Sequence, residues 1–210
     1  MVKVKICGLT DLETALFAAA AGAAALGFVF APGRRRAGPE QARLICRALP
    51  PFVSRVGVFV DAPLPEVAQM VDYCGLDAVQ LHGSEPPDYC RALGERVRVI
   101  KAFRVGGAGL PADMGDYPVA AVLLDTLVPG RAGGSGRAFD WRLAQNTGLK
   151  TPLILAGGLT PENVARAAAL VKPYAVDVSS GVETDGRKDR KKIARLIRAA
   201  GEAGSAPLQM

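Results

Sequence analysis

The chain has 210 residues, half of them hydrophobic and 22% charged, a globular composition that excludes a disordered or fibrous protein. One domain with one core is the natural expectation at this length, and no apolar run reaches the roughly 18 uncharged residues of a membrane span. The net charge of +6 favours anionic partners, yet no helix-turn-helix, finger or aromatic-interleaved basic surface accompanies it, so phosphate-bearing metabolites are expected rather than nucleic acid or membrane.

Residues 1–7 alternate apolar and polar side chains as a strand does. They lack the charged stretch followed by an apolar run that marks a secretory leader, so a cytoplasmic location is expected. Thr10-Asp11-Leu12-Glu13 fits a capping box for a helix beginning near Asp11. Further strands are predicted at 24–30, 54–60, 78–81, 98–102, 121–125, 153–156 and 175–178, after a first at 2–6. Helices are predicted to start near Pro39, Pro65, Pro86, Leu110, Phe139, Pro161 and Lys188, with Thr160 as a hydroxyl cap before Pro161. The fifth helix falls in the glycine-rich stretch 105–117 and is expected to be degenerate.

A strand that runs parallel to the previous one must be reached through a crossover, so strict strand–helix alternation implies a parallel sheet. Eight such units predict an α/β fold, a compact single-domain (β/α)8 TIM barrel over residues 1–200 with a frayed tail at 201–210. An open doubly wound sheet would carry a glycine-rich phosphate loop after the first strand, and Cys7-Gly8-Leu9-Thr10 has neither of the usual forms.

In such a barrel the site lies at the C-terminal ends of the strands. Alternation along the first strand sends Val2, Val4 and Ile6 towards the helices and Lys3, Lys5 and Cys7 inward. Cys7 at the mouth, above the Lys5 cation that favours a thiolate, is a candidate general base. Lys5 itself is read as a structural plug. The sixth strand ends likewise, with Asp125 inward, and this carboxyl is read as a proton donor. Gln80 and His82 share one inward face, and His82, the only histidine, is read as either a satisfied structural histidine or a substrate contact, not as part of a multi-histidine metal site. Cys46, Cys74 and Cys90 fall on predicted helices as packing residues, and the cysteines form neither a zinc site nor a disulfide framework.

Gly157-Gly158 after the seventh strand and Ser180-Gly181 after the eighth are small-residue loops in the two positions where barrels commonly hold a phosphate. Residues 130–136, also glycine-rich, are read as a lid over the ligand.

Lys5-Ile6-Cys7-Gly8-Leu9-Thr10, Val79-Gln80-Leu81-His82-Gly83, Leu123-Leu124-Asp125-Thr126, Gly133-Gly134-Ser135-Gly136, Ala156-Gly157-Gly158-Leu159-Thr160-Pro161-Glu162-Asn163-Val164 and Asp177-Val178-Ser179-Ser180-Gly181-Val182-Glu183 stand in collinear order. In that order and spacing the chain resembles the phosphoribosylanthranilate isomerases over about residues 2–200. The resemblance implies an Amadori rearrangement with Cys7 as general base and Asp125 as general acid, and no metal or cofactor. It implies a phosphosugar substrate whose phosphate rests on Gly157, Gly158, Ser180 and Gly181, with His82 and Asp177 as further substrate contacts. It also implies an arginine for the anthranilate carboxylate. Anchoring on Pro39-Glu40 assigns that role to Arg35, but Ala37 and Gly38 depart from the family pattern, and Arg34 and Arg36 stay open. The related histidine-pathway isomerase is expected to use paired aspartates instead, and indoleglycerol-phosphate synthase more lysine and glutamate at its strand ends. The oligomeric state is read as monomer or homodimer.

Overall fold

The computed structural model describes residues 1–106, 109–126 and 139–202. Eight parallel strands close on themselves in sequence order, β1 (Lys3–Cys7), β2 (Ala25–Val29), β3 (Ser54–Phe59), β4 (Ala78–Leu81), β5 (Arg98–Val105), β6 (Ala121–Thr126), β7 (Leu153–Leu155) and β8 (Ala175–Val178), with β8 pairing back onto β1. Closure leaves no unpaired strand edge, and the strict two-residue alternation divides each strand between two environments. Val4, Ile6, Val79, Leu81, Val122, Leu124 and Val176 pack outward in the layer shared with the helices, while Val56, Ile100, Leu123 and Ile154 fill the barrel interior.

Six α-helices cover the described part of the barrel: α1 (Leu12–Ala20), α2 (Pro39–Ala48), α3 (Leu64–Cys74), α4 (Pro87–Gly94), α5 (Val164–Val171) and α6 (Arg190–Glu202). Their ends follow from local chemistry. Asp11, not Thr10, caps α1, its side chain accepting from the Thr14 N–H at 2.7 Å, because an ionised carboxylate is the stronger acceptor at a positive helix end. Helix α3 stops at Gly75, whose φ of +65° supplies a left-handed cap.

The start expected at Pro161 moves to Val164, because Thr160 and Asn163 first close a turn in which the Asn163 side chain accepts from the Thr160 N–H at 2.8 Å. The start expected at Lys188 moves to Arg190, where Asp189 receives the Lys191 and Lys192 N–H groups. In place of a fifth helix stands the 3₁₀ turn Ala112–Asp116, matching the degenerate reading. The helix expected from Phe139 is also reduced to a 3₁₀ turn, Trp141–Ala144. Asn146 at φ +54° and Gly148 at φ +70° turn the chain left-handed just beyond, so no longer helix can form.

Among the described residues no helix is long and apolar enough to cross a membrane. Cys46, Cys74 and Cys90 are buried and free, on α2, at the end of α3 and on α4. The lid read at 130–136, with its Gly133-Gly134-Ser135-Gly136 motif, and the tail from residue 203 lie outside the described residues.

Candidate active site

The C-terminal ends of the strands surround a cavity of about 330 Å³ lined by Cys7, Arg34, Arg35, Gln80, His82, Asp125 and Asp177 among others. A narrower notch of about 50 Å³ adjoins it, lined by Gly157, Gly158, Ser180 and Gly181 and sharing Asp125 and Asp177 with the cavity. Cys7, Arg35, His82, Asp125, Asp177 and the four glycine and serine residues of the last two loops thus meet at one end of the barrel. Of the three candidate arginines, Arg34 and Arg35 line the cavity, whereas Arg36 bridges to Val29 beside β2.

Cys7 ends β1 with only 6% of its surface exposed. Gly27 on the neighbouring strand makes room for it: a side-chain carbon there would lie 2.8 Å from the Cys7 Sγ and 3.2 Å from the Lys5 Cε. The Lys5 cation sits next to the thiol, as the alternation requires, but the expected net effect does not follow. Burial pushes the Cys7 thiol above its ordinary value, and the pull of Lys5 and Lys188 towards the thiolate is outweighed. Lys5 is more than a plug. Its Nζ donates to Gln80 Oε1 at 2.8 Å and to Asp177 Oδ1 at 2.9 Å. Burial alone would lower the Lys5 pKa, but the negative charge of Asp177 and the adjacent Cys7 more than reverse this and raise it. Asp177 is therefore tied to Lys5 as well as facing both pockets.

Asp125 ends the inward register of β6 and accepts the Thr126 N–H on Oδ1 at 2.8 Å. Its Oδ2 lies 3.3 Å from His82 Nε2, near but not aligned as a hydrogen bond. His82 is held by its backbone, donating to the Phe59 carbonyl at 2.9 Å and accepting from Arg104 at 3.2 Å, and by Gln80 Nε2, 3.2 Å from its Nδ1.

The notch depends on close backbone approach. Gly157 has φ +83°, and a side-chain carbon on it would stand 2.2 Å from Thr126 Oγ1. A side-chain carbon on Gly181 would fall 1.8 Å from the Leu159 carbonyl oxygen, so the loops after β7 and β8 touch there and only glycine fits.

Two residues escaped the reading of the sequence. Glu183 receives Arg35 through Nε at 2.6 Å and Nη2 at 3.0 Å, and also Arg34 at 2.8 Å and Lys188 at 2.9 Å. Burial would raise its pKa, but Arg35 and Lys188 hold it down to about 2. Lys188 sits in a short hairpin, Glu183–Thr184 against Arg187–Lys188, and folds back to the Ser179 carbonyl at 2.9 Å. Desolvation lowers its pKa despite the Glu183 partner. The only signal in the sequence is the Glu183 that ends the last motif; Lys188 is hidden in a basic run that resembles solvated surface. Arg35 consequently presents a fork already engaged by a carboxylate.

Fold and site together define a (β/α)8-barrel enzyme whose thiol and carboxyl face one cavity beside a glycine-lined notch. The family model of N-(5'-phosphoribosyl)anthranilate (PRA) isomerase matches residues 4–199. The N-(5'-phosphoribosyl)anthranilate isomerase of Desulforudis audaxviator is 57% identical over 97% of this chain and 100% of its own length. A phosphoribosyl anthranilate isomerase in complex with reduced 1-(o-carboxyphenylamino)-1-deoxyribulose 5-phosphate superposes with a TM-score of 0.82 at 44% identity, covering 96% of this chain and 100% of that one. Monomers generated from the dimeric enzyme of Thermotoga maritima also give 0.82, at 42% identity over 96% and 100% of the two chains. This chain belongs to the N-(5'-phosphoribosyl)anthranilate isomerase family.

Proposed function

We propose that Cys7 and Asp125 are the base and acid with which this enzyme isomerises N-(5-phosphoribosyl)anthranilate to 1-(2-carboxyphenylamino)-1-deoxyribulose 5-phosphate in tryptophan biosynthesis. The observation that carries the assignment is that the two side chains line the same cavity, from β1 and β6, with the glycine notch alongside. Asp125 gives its proton to the furanose ring oxygen as the C1′–O bond breaks, leaving a Schiff base. The electron-poor iminium acidifies the C2′ proton, which Cys7 removes to give an enolamine; the reacting form is the minor thiolate, because burial holds the thiol's pKa up against the pull of Lys5 and Lys188. Tautomerisation of the enolamine yields the ketone.

The phosphate rests on the backbone of Gly157, Gly158, Ser180 and Gly181, where close approach of N–H groups replaces a side-chain cation. Arg35 takes the anthranilate carboxylate through a charge-assisted pair, with Arg34 beside it. Glu183 already orients the Arg35 fork, so the cation is preorganised before substrate arrives. His82 and Asp177 complete the walls. Purified protein incubated with N-(5-phosphoribosyl)anthranilate, together with complementation of a tryptophan auxotroph lacking this step, tests the reading. No turnover and no growth would sink it.

The working unit in this reading is a homodimer. The opposite end of the barrel carries a cavity of about 380 Å³ bordered by Ala25, Ala78, Ala121 and Ala175, and Phe52 stands 95% exposed at its rim. A second copy would cover that phenylalanine, removing from water an apolar side chain whose burial is worth about 1.5–3 kcal/mol. The dimeric relative from Thermotoga maritima supports this occupant. Location in the cytoplasm fits the four free thiols, which stay reduced there.

A further inference from the structure

The floor of the active site holds a chain of polar groups that runs from the base side to the acid side: Lys5 Nζ to Gln80 Oε1 at 2.8 Å, Gln80 Nε2 to His82 Nδ1 at 3.2 Å, and His82 Nε2 to Asp125 Oδ2 at 3.3 Å. Its direction follows from what each group can do. An ammonium only donates, so the Gln80 oxygen must face Lys5. The Gln80 nitrogen, which only donates, must then face His82, and the His82 Nδ1 has to accept. Turning the amide over would set donor against donor at Lys5, in a position where Gln80 is only 1% exposed. A neutral imidazole that accepts on Nδ1 carries its proton on Nε2. That N–H is buried and without an aligned acceptor among the described residues, and it lies beside the Asp125 carboxyl.

We propose that Gln80, oriented by Lys5, is a positioning residue that locks His82 in the Nε2–H tautomer, so that the imidazole stands ready to donate to Asp125 Oδ2 as that carboxyl gives up its proton. This rests on the assignment of Asp125 as the acid. The donor is left unsatisfied while Asp125 is protonated and gains its acceptor as the carboxylate forms, which is the property that favours proton transfer over mere substrate binding. A buried amide thereby sets the polarity of a group on the far side of the pocket, and Lys5 serves both ends at once, interacting with Cys7 and, through Gln80 and His82, addressing Asp125.

The chain has a single histidine, so the two imidazole ¹⁵N resonances of uniformly labelled, unliganded protein report the tautomer without assignment. At pH 8 the wild type is expected to show a protonated Nε2 and a bare Nδ1. A bare Nε2 or a doubly protonated ring overturns the proposal from the wild-type spectrum alone. In Gln80→Glu the carboxylate can only accept, so Nδ1 should become protonated. In Gln80→Met, which keeps the side-chain volume and removes the donor, the tautomers should mix. An unchanged Nε2–H tautomer in either folded variant also overturns it. Gln80→Met should lower kcat roughly 10-fold with little change in KM, less than the ~10²-fold expected on losing the acid itself. Wild-type kcat in that variant removes the catalytic part of the proposal. If Asp125→Asn retains turnover while the wild-type spectrum shows Nε2–H, it is the acid assignment that fails and the tautomer lock that stands.

Discussion

The two ends of this barrel are built from the same strands and the same alternation, yet they solve opposite problems. At the mouth the inward positions of β1, β4, β6 and β8 carry Cys7, Gln80, Asp125 and Asp177. At the floor the even strands carry alanine, at 25, 78, 121 and 175, and leave a cavity in place of side chains. Burying polar groups is costly unless each has a partner, and at the mouth Lys5 answers Asp177 and Gln80, Thr126 answers Asp125, and Glu183 answers Arg34, Arg35 and Lys188. At the floor Lys3, Ser54, Arg98 and Tyr174 are exposed at the rim, and the one buried cation lining it, Lys5, is answered from the mouth side by Asp177 and Gln80. Chemistry is confined to the end where side chains hold one another in place.

The sharpest way to break that contrast is to remove the groups that move protons. Cys7→Ala and Asp125→Asn should each lower kcat by at least ~10²-fold, the usual scale for a positioned base or acid; steady-state rates near wild type would reassign the mouth. Next in size is the carboxylate anchor. Arg35→Ala should raise KM about tenfold, or ~1.4 kcal/mol, with a smaller change in kcat, since the contact binds ground and transition states alike. An unaltered KM would transfer the role to Arg34, which shares the Glu183 carboxylate.

A smaller effect separates the Glu183 cluster from the other carboxylates. The folded state holds its pKa down to about 2 from 4.5, so its contribution to stability is complete above the unfolded value and is lost as pH falls through that interval. Denaturation followed between about pH 5 and 2 should therefore show Glu183→Gln losing less stability than wild type. Parallel curves would mean that Arg35 and Lys188 do not hold the carboxylate as the distances indicate. At the floor, Phe52→Glu should shift sedimentation towards monomer and leave kcat unchanged, because the cavity it borders opens away from Cys7 and Asp125. A wild type that sediments as monomer would remove the dimer from the account.

Much of this was legible in the chain before any coordinates. The two-residue alternation that sent Lys3, Lys5 and Cys7 inward is a property of extended backbone, and it holds in the folded strand whatever surrounds it. Prolines at the first turns of α2, α3 and α4 are local geometric constraints, and those helix starts fall within a residue of expectation. The helix expected from Phe139 is cut short because the left-handed turns at Asn146 and Gly148 override its local pattern. The role of Lys188 is invisible in the sequence for a different reason. A basic run reads as solvated surface until it is known that the chain doubles back as a hairpin and drives one lysine of the run against Ser179 and Glu183.

What the order of residues determined by itself is the architecture and the cast: eight strand units, a thiol and a carboxyl at two strand ends, and two small-residue loops after the last two strands. These depend on interactions within a few residues, which the chain carries wherever it goes. Only the tertiary structure decided how the cast is charged and oriented, because that depends on partners from distant strands. Lys5 beside Cys7 is visible in the sequence, but that burial outweighs its pull on the thiol is not. Which way the Gln80 amide points is set by a lysine 75 residues away, and no local pattern can encode a hydrogen-bond direction that closure of the barrel imposes.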